Sequence, residues 1–501
     1  MSRLMAGESA VRLGSGAVEP LEPWDFEDSE PASGVALAAL VGGGRADAVR
    51  AVDHAAAALT LWVNASSSRR AQSLQAVANQ LRSEATRADL APLIAQETGK
   101  CLSEAESEVD LAAAFFDWFG AACACQHDEL WEIVPGVGHE VRHHALGVVA
   151  VLTPWNFPVS IPARKIAAAL GAGCSVVFKP SDVAPLSSLR FAEVVERCVP
   201  RDVICTVIGD PKVVVGAWLG DPRVRGVTFT GSPTVGQSVA GACVTKMKRC
   251  VLELGGNAPY LVLDDADLGQ AVATLMVAKY RNNGQSCIAA NHAWVPRRHY
   301  GAFVDAFVAA TRELVLGNPL DTATTLGPLA LSSDPARMGA LVADARLAGA
   351  AIVRTHDTTP LPGNFCGPAI CLSPELDCRV ITEEIFGPVI SILPYDDLGR
   401  TVATINELHY GLSGYVATRD VVRGRELARA LDLGIVGINI ATPNTPQVPF
   451  GGRRGSGLGV EGGQLGLHEF LSHQVTAYRF PAGGSMGERP AGKQTRAGCT
   501  M

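Results

Sequence analysis

The sequence of 501 residues lacks several features that would place it in whole classes of protein. It contains no run of about 18 apolar residues, so no transmembrane helix is expected, and its first residues, MSRLMAGESAVRLGSG, lack the apolar core of a signal peptide. It has no CxxC pair, and its 13 cysteines are scattered, which argues against a disulfide framework and a zinc site. We therefore expect free thiols, no bound metal and a reducing cytoplasm.

Charge is scarce as well. Charged residues make up 18% of the chain and hydrophobic residues 48%, which is typical of a soluble globular enzyme with a large core. The net charge is −8 and no basic block is present, which argues against nucleic acid or an anionic membrane as the main partner. The length predicts two or three domains.

Helical stretches alternate with short β-branched runs. Helices are indicated by ADAVRAVDHAAAALTLWV and by SSRRAQSLQAVANQLRSEATRADLAPLIAQETGK, and buried strands by GVVAVLTP, SVVFKP, GVTFTG, PYLVL and HAWVP. The alternation occurs at roughly 145–265 and again at roughly 285–440, which predicts two α/β domains with parallel sheets. The first twenty residues lack periodicity, and the polar tail from Pro481 is expected to be disordered.

Cys287 lies in NNGQSCIAA (282–290), directly after the predicted helix AVATLMVAKY. A catalytic thiol needs room and partial exposure, and Gly284, Ser286 and Ala289 would provide the room. From this stretch alone, a structural buried thiol is the alternative.

Two polar residues near predicted strand ends are candidates for the same chemistry. Glu253 ends an apolar strand in VLELGGNAPYLVL, where desolvation would raise its pKa towards that of a general base; a solvated edge carboxylate is the alternative. Asn156 follows a strand in VLTPWNFPVS, where its amide could donate to a developing oxyanion; a turn-forming Asn is the alternative.

The usual dinucleotide fingerprint, GxGxxG, is absent. A glycine-rich turn occurs in GVTFTGSPTVG, where Gly231 and Gly236 flank Ser232 at a predicted helix start, and its free N–H groups could receive a phosphate. Lys179 and Asp182 follow another strand in SVVFKPSDVAP, where a ribose could bridge ammonium and carboxylate.

Eight segments resemble motifs of the NAD(P)-dependent aldehyde dehydrogenase superfamily, in the order of that family. They are TPWNFP (153–158), FKPSD (178–182), FTGSPTVG (229–236), LELGG (252–256), GQSC (284–287), EEIFGP (383–388), GIVGIN (434–439) and PFGGRRGSGLG (449–459). Glu253 and Cys287 are 34 residues apart, as in the family, and the resemblance runs from about residue 22 to about residue 479.

The resemblance implies catalytic roles for three residues. Cys287 matches the nucleophile, Glu253 the base that activates water, and the Asn156 amide, with the Cys287 backbone N–H, the oxyanion hole. The implied reaction adds the thiolate to an aldehyde carbonyl, transfers a hydride from the thiohemiacetal to a nicotinamide, and hydrolyses the resulting thioester.

The resemblance also implies a cofactor site. Seven residues match the family's contacts from the adenosine ribose to the nicotinamide: Lys179, Asp182, Gly231, Ser232, Trp155, Glu384 and Phe386. Many NAD-preferring relatives carry Glu at position 182, and the carboxylate of Asp182 should repel a 2′-phosphate. We therefore expect NAD rather than NADP.

Two arginines bear on the substrate. Arg164 lies in IPARKIAAAL, and Arg281 lies six residues before Cys287. In the succinate-semialdehyde dehydrogenase branch, arginines at these positions grip a distal carboxylate, and Thr445 falls near an assisting hydroxyl; relatives acting on uncharged aldehydes commonly have aromatic residues at the two arginine positions. Surface or interdomain arginines are the alternative.

We therefore expect a carboxylate-bearing semialdehyde, such as succinic semialdehyde, as the substrate. The alternatives are another polar or pathway-specific aldehyde, an acyl-CoA-forming variant, which Glu253 disfavours, and a catalytically silent structural relative.

The fold implied by the resemblance has a Rossmann-like cofactor domain, a catalytic α/β domain and a small β oligomerisation element. HQVTAYRF would cross into a partner subunit, which predicts a homodimer or homotetramer. The expected bounds are 20–125 and 146–252 for cofactor binding, 253–448 for catalysis, 126–145 and 462–480 for oligomerisation, and 481–501 for the disordered tail.

Overall fold

The computed structural model describes residues 8–14, 16–358 and 361–480, so the expected disordered tail, 481–501, lies outside the described residues. The strands in these ranges are, in chain order, β1 (Glu8–Ser9), β2 (Val11–Leu13), β3 (Gly16–Ala17), β4 (Trp24–Ser29), β5 (Ala36–Gly42), β6 (Glu129–Val134), β7 (Val137–Ala145), β8 (Val148–Leu152), β9 (Ser175–Lys179), β10 (Ile204–Val207), β11 (Val224–Thr230), β12 (Arg249–Glu253), β13 (Ala258–Val262), β14 (Ala290–Pro296), β15 (Ala351–Arg354), β16 (Ala369–Leu372), β17 (Val389–Tyr395), β18 (Tyr410–Gly411), β19 (Ser413–Ala417), β20 (Ile435–Ile438), β21 (Arg453–Arg454), β22 (Gly457–Leu458) and β23 (Leu471–Arg479).

The helices are α1 (Arg45–Val63), α2 (Ser67–Leu81), α3 (Glu84–Thr98), α4 (Leu102–Ala124), α5 (Ser160–Gly171), α6 (Pro185–Glu196), α7 (Pro211–Gly220), α8 (Pro233–Val244), α9 (Leu268–Tyr280), α10 (Tyr300–Arg312), α11 (Asp334–Leu347), α12 (Arg379–Thr382), α13 (Leu398–Glu407), α14 (Val421–Ala430) and α15 (Gly463–His468). Short 3₁₀ turns cover Arg281–Gly284 and Arg297–His299. Among the helices of the described ranges, none combines the length and the hydropathy needed to cross a membrane.

The first large sheet has eight strands in the order β22-β12-β11-β8-β9-β10-β2-β3, and its five strands from β12 to β10 are parallel. Along β8, Val149 and Val151 belong to one apolar cluster, and Val148, Ala150 and Leu152 belong to another. Successive side chains therefore bury both faces of the sheet, which explains why these strands are continuous apolar runs.

The second large sheet has the order β15-β16-β17-β14-β13-β19-β20, and only the β15–β16 pair in it is antiparallel. Tyr260 and Val262 on β13 belong to one apolar cluster, and Leu261 belongs to another, so this sheet is also covered on both faces. The two parallel α/β sheets predicted from the alternation are confirmed.

A separate three-stranded antiparallel sheet has the order β23-β7-β6, and we call it the arm. β23 pairs with β7 along its whole length, from Leu471 opposite Ala145 to Arg479 opposite Val137. The arm exposes large apolar side chains, including Ile133 and Val475, which are 75% and 62% exposed. Its strands fall within the segments expected for oligomerisation, and the domain bounds themselves stay a prediction.

Two local features differ from the sequence interpretation. The N-terminal segment without periodicity forms β1 to β3, and β2 pairs antiparallel with β10; strands of two or three residues are too short to show a period. The long stretch indicated as one helix is divided into α2 and α3, because Ser83 caps a new helix by accepting a hydrogen bond from the Thr86 N–H at 3.3 Å.

Candidate active site

Four neighbouring strands of the first sheet end together, and candidate residues lie at or just after each end. β9 ends at Lys179, in register with the end of β8, and β12 ends at Glu253, in register with Thr230 at the end of β11. Ligands of parallel sheets bind at the carboxyl ends of the strands. The register therefore brings the segments that carry Asn156, Lys179, Ser232 and Glu253 to one edge.

The backbone before Cys287 makes a left-handed turn. Asn282, Asn283 and Gly284 have φ values of 53°, 57° and 78°. Gly adopts this conformation most readily, and Asn and Asp adopt it more readily than other residue types, so the sequence NNG permits the turn. Gly256 packs against the backbone that follows this turn, so closely that an added Cβ atom would lie 2.0 Å from the Cys287 carbonyl oxygen.

Buried side-chain amides hold this turn. Asn283 Nδ2 donates to the carbonyl oxygens of Gly99 and Pro328, each at 2.9 Å. Asn282 Nδ2 donates to the Gln285 carbonyl oxygen, also at 2.9 Å. The segment that carries the cysteine is thus tied to two remote parts of the chain.

Asn156 is buried beside the turn. Its side-chain Nδ2 donates to the Gln285 backbone carbonyl at 3.0 Å. The backbone carbonyl of Asn156 accepts from Lys100 Nζ at 2.8 Å and from Asn282 Nδ2 at 2.9 Å. These bonds fix the backbone and one amide N–H. An amide nitrogen carries two hydrogens, so a second N–H remains for an oxyanion.

Lys100 also forms a fully buried ion pair with Glu108. The Glu108 Oε1 accepts from the backbone N–H groups of Val159 and Ser160, at 2.9 and 3.0 Å, at the start of α5. A carboxylate is favoured there by the helix dipole. The pair therefore connects α4 to α5 and, through Lys100, to the Asn156 carbonyl.

Glu253 is buried, and neither of its carboxyl oxygens has a hydrogen-bond partner among the described residues. Burial, and then the Glu461 carboxylate, raise the pKa of Glu253 well above its usual range, while Arg164 and Lys165 act in the opposite direction. A desolvated carboxyl group with a raised pKa is suited to general-base catalysis near neutral pH.

Cys287 is partly exposed. Burial first, and then the carboxylates of Glu384 and Glu253, raise the pKa of its thiol to about 12, against the opposing charge of Arg164. The sulfur therefore carries its proton at neutral pH, and it needs a proton acceptor or a change of surroundings to become nucleophilic.

A cavity beside Cys287 is lined by both predicted arginines. The guanidinium carbon of Arg281 lies 5.3 Å from the ring centre of Phe157, and that of Arg164 lies 4.2 Å from the ring centre of Phe450. Two cations in a wall that also contains several aromatic and aliphatic side chains can bind an anionic group at a fixed distance from the sulfur.

Thr445, the third predicted substrate residue, is exposed and is not part of this lining. The neighbouring Asn444 lines the cavity instead. The assignment of Thr445 as a substrate residue stays a prediction, and the lining of this cavity does not support it.

The residues predicted at the adenosine end fit a dinucleotide. Ser232 caps the 12-residue helix α8, and Gly231 donates its N–H to the Glu253 carbonyl at 3.1 Å. Lys179 is buried, and its Nζ donates only to the Pro180 carbonyl, at 3.2 Å, among the described residues. A buried ammonium with unused donors would be satisfied by ribose hydroxyl groups.

The residues predicted at the nicotinamide end also lie together. The Trp155 and Phe386 rings meet edge to face at 5.6 Å, and Phe386 has a left-handed φ of 51°. Glu384 Oε1 accepts from the Gly256 N–H at 2.9 Å, and burial raises the pKa of Glu384 to about 7.

Sequence reasoning missed the buried charges around this edge: Lys100, Glu108, Lys165 and Glu461. A signal existed for Lys100 and Glu461, which lie between small or apolar residues, but not for Glu108, which lies in the acidic stretch SEAESEVD, or for Lys165, which follows Arg164. No local pattern could name the partners, because Lys165 and Glu461, which form an ion pair, are 296 residues apart.

Comparison with known proteins identifies the family. The model of the aldehyde dehydrogenase family matches residues 20–476. The glutarate-semialdehyde dehydrogenase of Pseudomonas aeruginosa is 37% identical over 448 residues, which cover 88% of this chain and 92% of that protein. The succinate-semialdehyde dehydrogenase (NADP+) of Escherichia coli is 35% identical, with coverages of 88% and 92%.

Solved structures agree. The succinate-semialdehyde dehydrogenase from Burkholderia pseudomallei superimposes with a TM-score of 0.91 at 34% identity, covering 96% of this chain and 99% of that one. The chain therefore belongs to the aldehyde dehydrogenase family and is an NAD(P)-dependent oxidoreductase that acts on aldehydes.

Proposed function

We propose that the protein oxidises a semialdehyde that bears a carboxylate, with Cys287 as the nucleophile. The observation that carries the proposal is the cavity in which Arg164 and Arg281 accompany Cys287. Two relatives are named as glutarate- and succinate-semialdehyde dehydrogenases, and these names support the same class of substrate.

The protein's own groups perform the chemistry around the sulfur. After Cys287 loses its proton and adds to the carbonyl carbon, the developing oxyanion accepts from the Asn156 amide and the Cys287 backbone N–H. Bound NAD(P) supplies the hydride acceptor. Glu253 then takes a proton from water, which attacks the thioester and releases the dicarboxylate.

A pair of matched substrates tests the substrate class. We expect a higher kcat/KM for glutaric semialdehyde than for pentanal, and for succinic semialdehyde than for butanal. The R281F variant should lose about 10- to 100-fold on the semialdehydes, the worth of a charge-assisted hydrogen bond, and keep its rate on the uncharged aldehydes. A preference that survives R281F and R164F would contradict the carboxylate assignment.

We further propose that NAD is preferred over NADP. Asp182 and Asp210 place negative charge near Lys179, which opposes a 2′-phosphate. We expect D182S to raise the ratio of kcat/KM for NADP to that for NAD. An unchanged ratio would remove Asp182 from the argument.

We also propose that the arm joins copies of the chain into a homodimer or homotetramer. β23 has an unpaired outer edge within the described residues, and Val475 is exposed on it. Light scattering after size exclusion should give a multiple of 52.4 kDa for the wild type and a smaller mass for V475D.

We keep a reducing cytoplasm as the expected compartment, because the nucleophile must remain a thiol.

A further inference from the structure

Arg164 lies between the cavity and a buried carboxylate. Its Nε is 2.6 Å from Glu461 Oε2, in an ion pair whose atoms are not aligned as a hydrogen bond. Its Nη nitrogens make no hydrogen bond with any residue of the described ranges, and the same side chain lines the cavity beside Cys287. The Nε edge of the guanidinium thus faces Glu461, while its two Nη nitrogens are available to a ligand in the cavity.

Glu461 belongs to a larger cluster of charges. Its Oε1 accepts from the Lys165 ammonium and, at 3.1 Å, from the Thr228 hydroxyl. Thr228 lies two residues before Thr230 on β11, and Thr230 is in register with Glu253 at the end of β12, so the Glu253 carboxyl group lies on the sheet face that carries this cluster. Arg164 and Lys165 on α5 both favour its charged form. Two buried carboxyl groups therefore depend on two buried cations.

Two thiols also interact with this cluster: Cys287 with Arg164 and Glu253, and Cys250 with Lys165. Beyond Cys287 lies the Glu384 carboxyl group, which acts on that thiol. None of these groups supplies positive charge, so Arg164 and Lys165 are the cations available to Glu253 and Glu461 in the described residues.

We propose that Arg164 serves both recognition and thioester hydrolysis: its Nη end receives the substrate carboxylate, and its Nε edge holds Glu461 and thereby positions the charge around Glu253. The first role rests on the proposed function, and the second makes Arg164 a positioning residue for the general base. A single side chain then couples substrate charge to the hydrolytic step.

The hydrolytic step is the one in which this coupling acts. The oxygen of water bonds to the thioester carbon, a proton passes from water to Glu253, and the C–S bond breaks with its electron pair returning to Cys287. Without Arg164, Glu253 and Glu461 would share one ammonium, and ionisation of Glu253 would require a higher pH.

Arg281 provides a matched control within the same cavity. Its guanidinium packs over Phe157, and its charge acts on Glu104 and Lys100, whereas no contact joins it to Glu461 or Glu253. Its removal should therefore affect recognition of the carboxylate without affecting the pH dependence of hydrolysis.

The test follows hydrolysis of p-nitrophenyl acetate, an ester that acylates a reactive thiol without cofactor. The burst of p-nitrophenol counts acylated sites, and the later steady rate measures deacylation across pH 5–10. We expect R164Q to raise the midpoint of the deacylation profile by about one pH unit or more, with a rate at pH 7 about tenfold lower. R164K should shift the midpoint less than R164Q does because it keeps the charge, and R281Q should keep the wild-type midpoint.

E461Q gives a prediction of opposite sign that does not depend on how well R164Q folds. Removing the Glu461 carboxylate leaves both cations to Glu253, so the midpoint should fall. Misfolded protein lowers the burst amplitude and leaves the midpoint of the active fraction unchanged. Wild-type midpoints in R164Q and E461Q, or an equal shift in R164Q and R281Q, would overturn the inference.

The semialdehyde preference is measured separately with glutaric semialdehyde and pentanal. Loss of that preference in both arginine variants, without a shifted midpoint in R164Q, would uphold the proposed function and overturn the coupling. A shifted midpoint in R164Q, in an enzyme that shows no preference for semialdehydes, would overturn the proposed substrate and the recognition role while upholding the positioning role.

Discussion

Replacement of Gly256 by alanine should misplace the nucleophile without unfolding the protein. The added Cβ would lie 2.0 Å from the Cys287 carbonyl oxygen and 3.3 Å from Leu412 Cβ. Ordinary contact begins near 3.4 Å, so the carbonyl has to move by about 1.4 Å. The φ of Gly256 is not in the left-handed region, so the change acts through contact and not through backbone strain.

A displacement of this size is enough to disturb the reaction. A misplacement of about 1 Å in an active site can lower the rate by about 100-fold, because reacting groups must meet at a defined distance and angle. The Gly256 N–H also donates to Glu384, so the same movement disturbs the nicotinamide end. We expect kcat/KM for glutaric semialdehyde to fall by about 100-fold in G256A.

The assay is steady-state formation of reduced nicotinamide, with the number of reactive thiols counted by the p-nitrophenol burst. Gly339 offers a control: it lies exposed on α11 with no heavy atom within 4 Å of an added Cβ, so G339A should keep wild-type kinetics. Wild-type kcat/KM in G256A, with near-ultraviolet circular dichroism also unchanged, would refute the view that this contact sets the position of the sulfur.

Three further predictions concern buried ionisable groups. E253Q should keep the initial burst of reduced nicotinamide, while steady turnover falls by about 10²- to 10⁴-fold because thioester hydrolysis loses its base. The raised pKa of Glu253 makes the wild type lose stability as the pH rises above 4.5, so the gain in Tm of E253Q over wild type should grow between pH 5 and pH 8. K100M should lower the free energy of unfolding by about 3–5 kcal/mol in urea titrations, because it leaves Glu108 buried without its partner; a loss below about 1 kcal/mol would contradict this. Alkylation of Cys287 in cofactor-free enzyme, followed by peptide mass spectrometry, should rise up to pH 10 without a plateau, because its pKa is about 12; a plateau near pH 8 would show a different environment.

The fold was predictable because its signals are local, whereas the roles of the site residues were implied by the resemblance and stay predictions. β-branched runs bounded by Gly or Pro gave the parallel strands, and the ordered motifs around Asn156, Glu253 and Cys287 fall at strand ends or in the turn that meets them. Such features depend on a few neighbouring residues, which a single sequence displays.

Other features were not predictable because they depend on remote partners. Nothing near Arg164 indicates that Glu461 would occupy its Nε edge, since the two are brought together only when α5 packs beside the segment before α15. The break at Ser83 is a competition between a cap and a continuing helix, which propensity does not decide. Thr445 was placed by resemblance and stays a prediction, while its neighbour Asn444 lines the cavity.

The turn before the nucleophile also has a bearing on chemical ageing. Asparagine followed by glycine deamidates readily in flexible chains, because the next backbone nitrogen can attack the side-chain carbonyl carbon. In Asn283, both ends of the amide are engaged, with Nδ2 bonded to Gly99 and Pro328 and Oδ1 accepting from the Gly327 N–H at 2.8 Å. The contacts that shape the loop therefore also protect its weakest covalent link, and the native enzyme should lose this amide far more slowly than the unfolded chain.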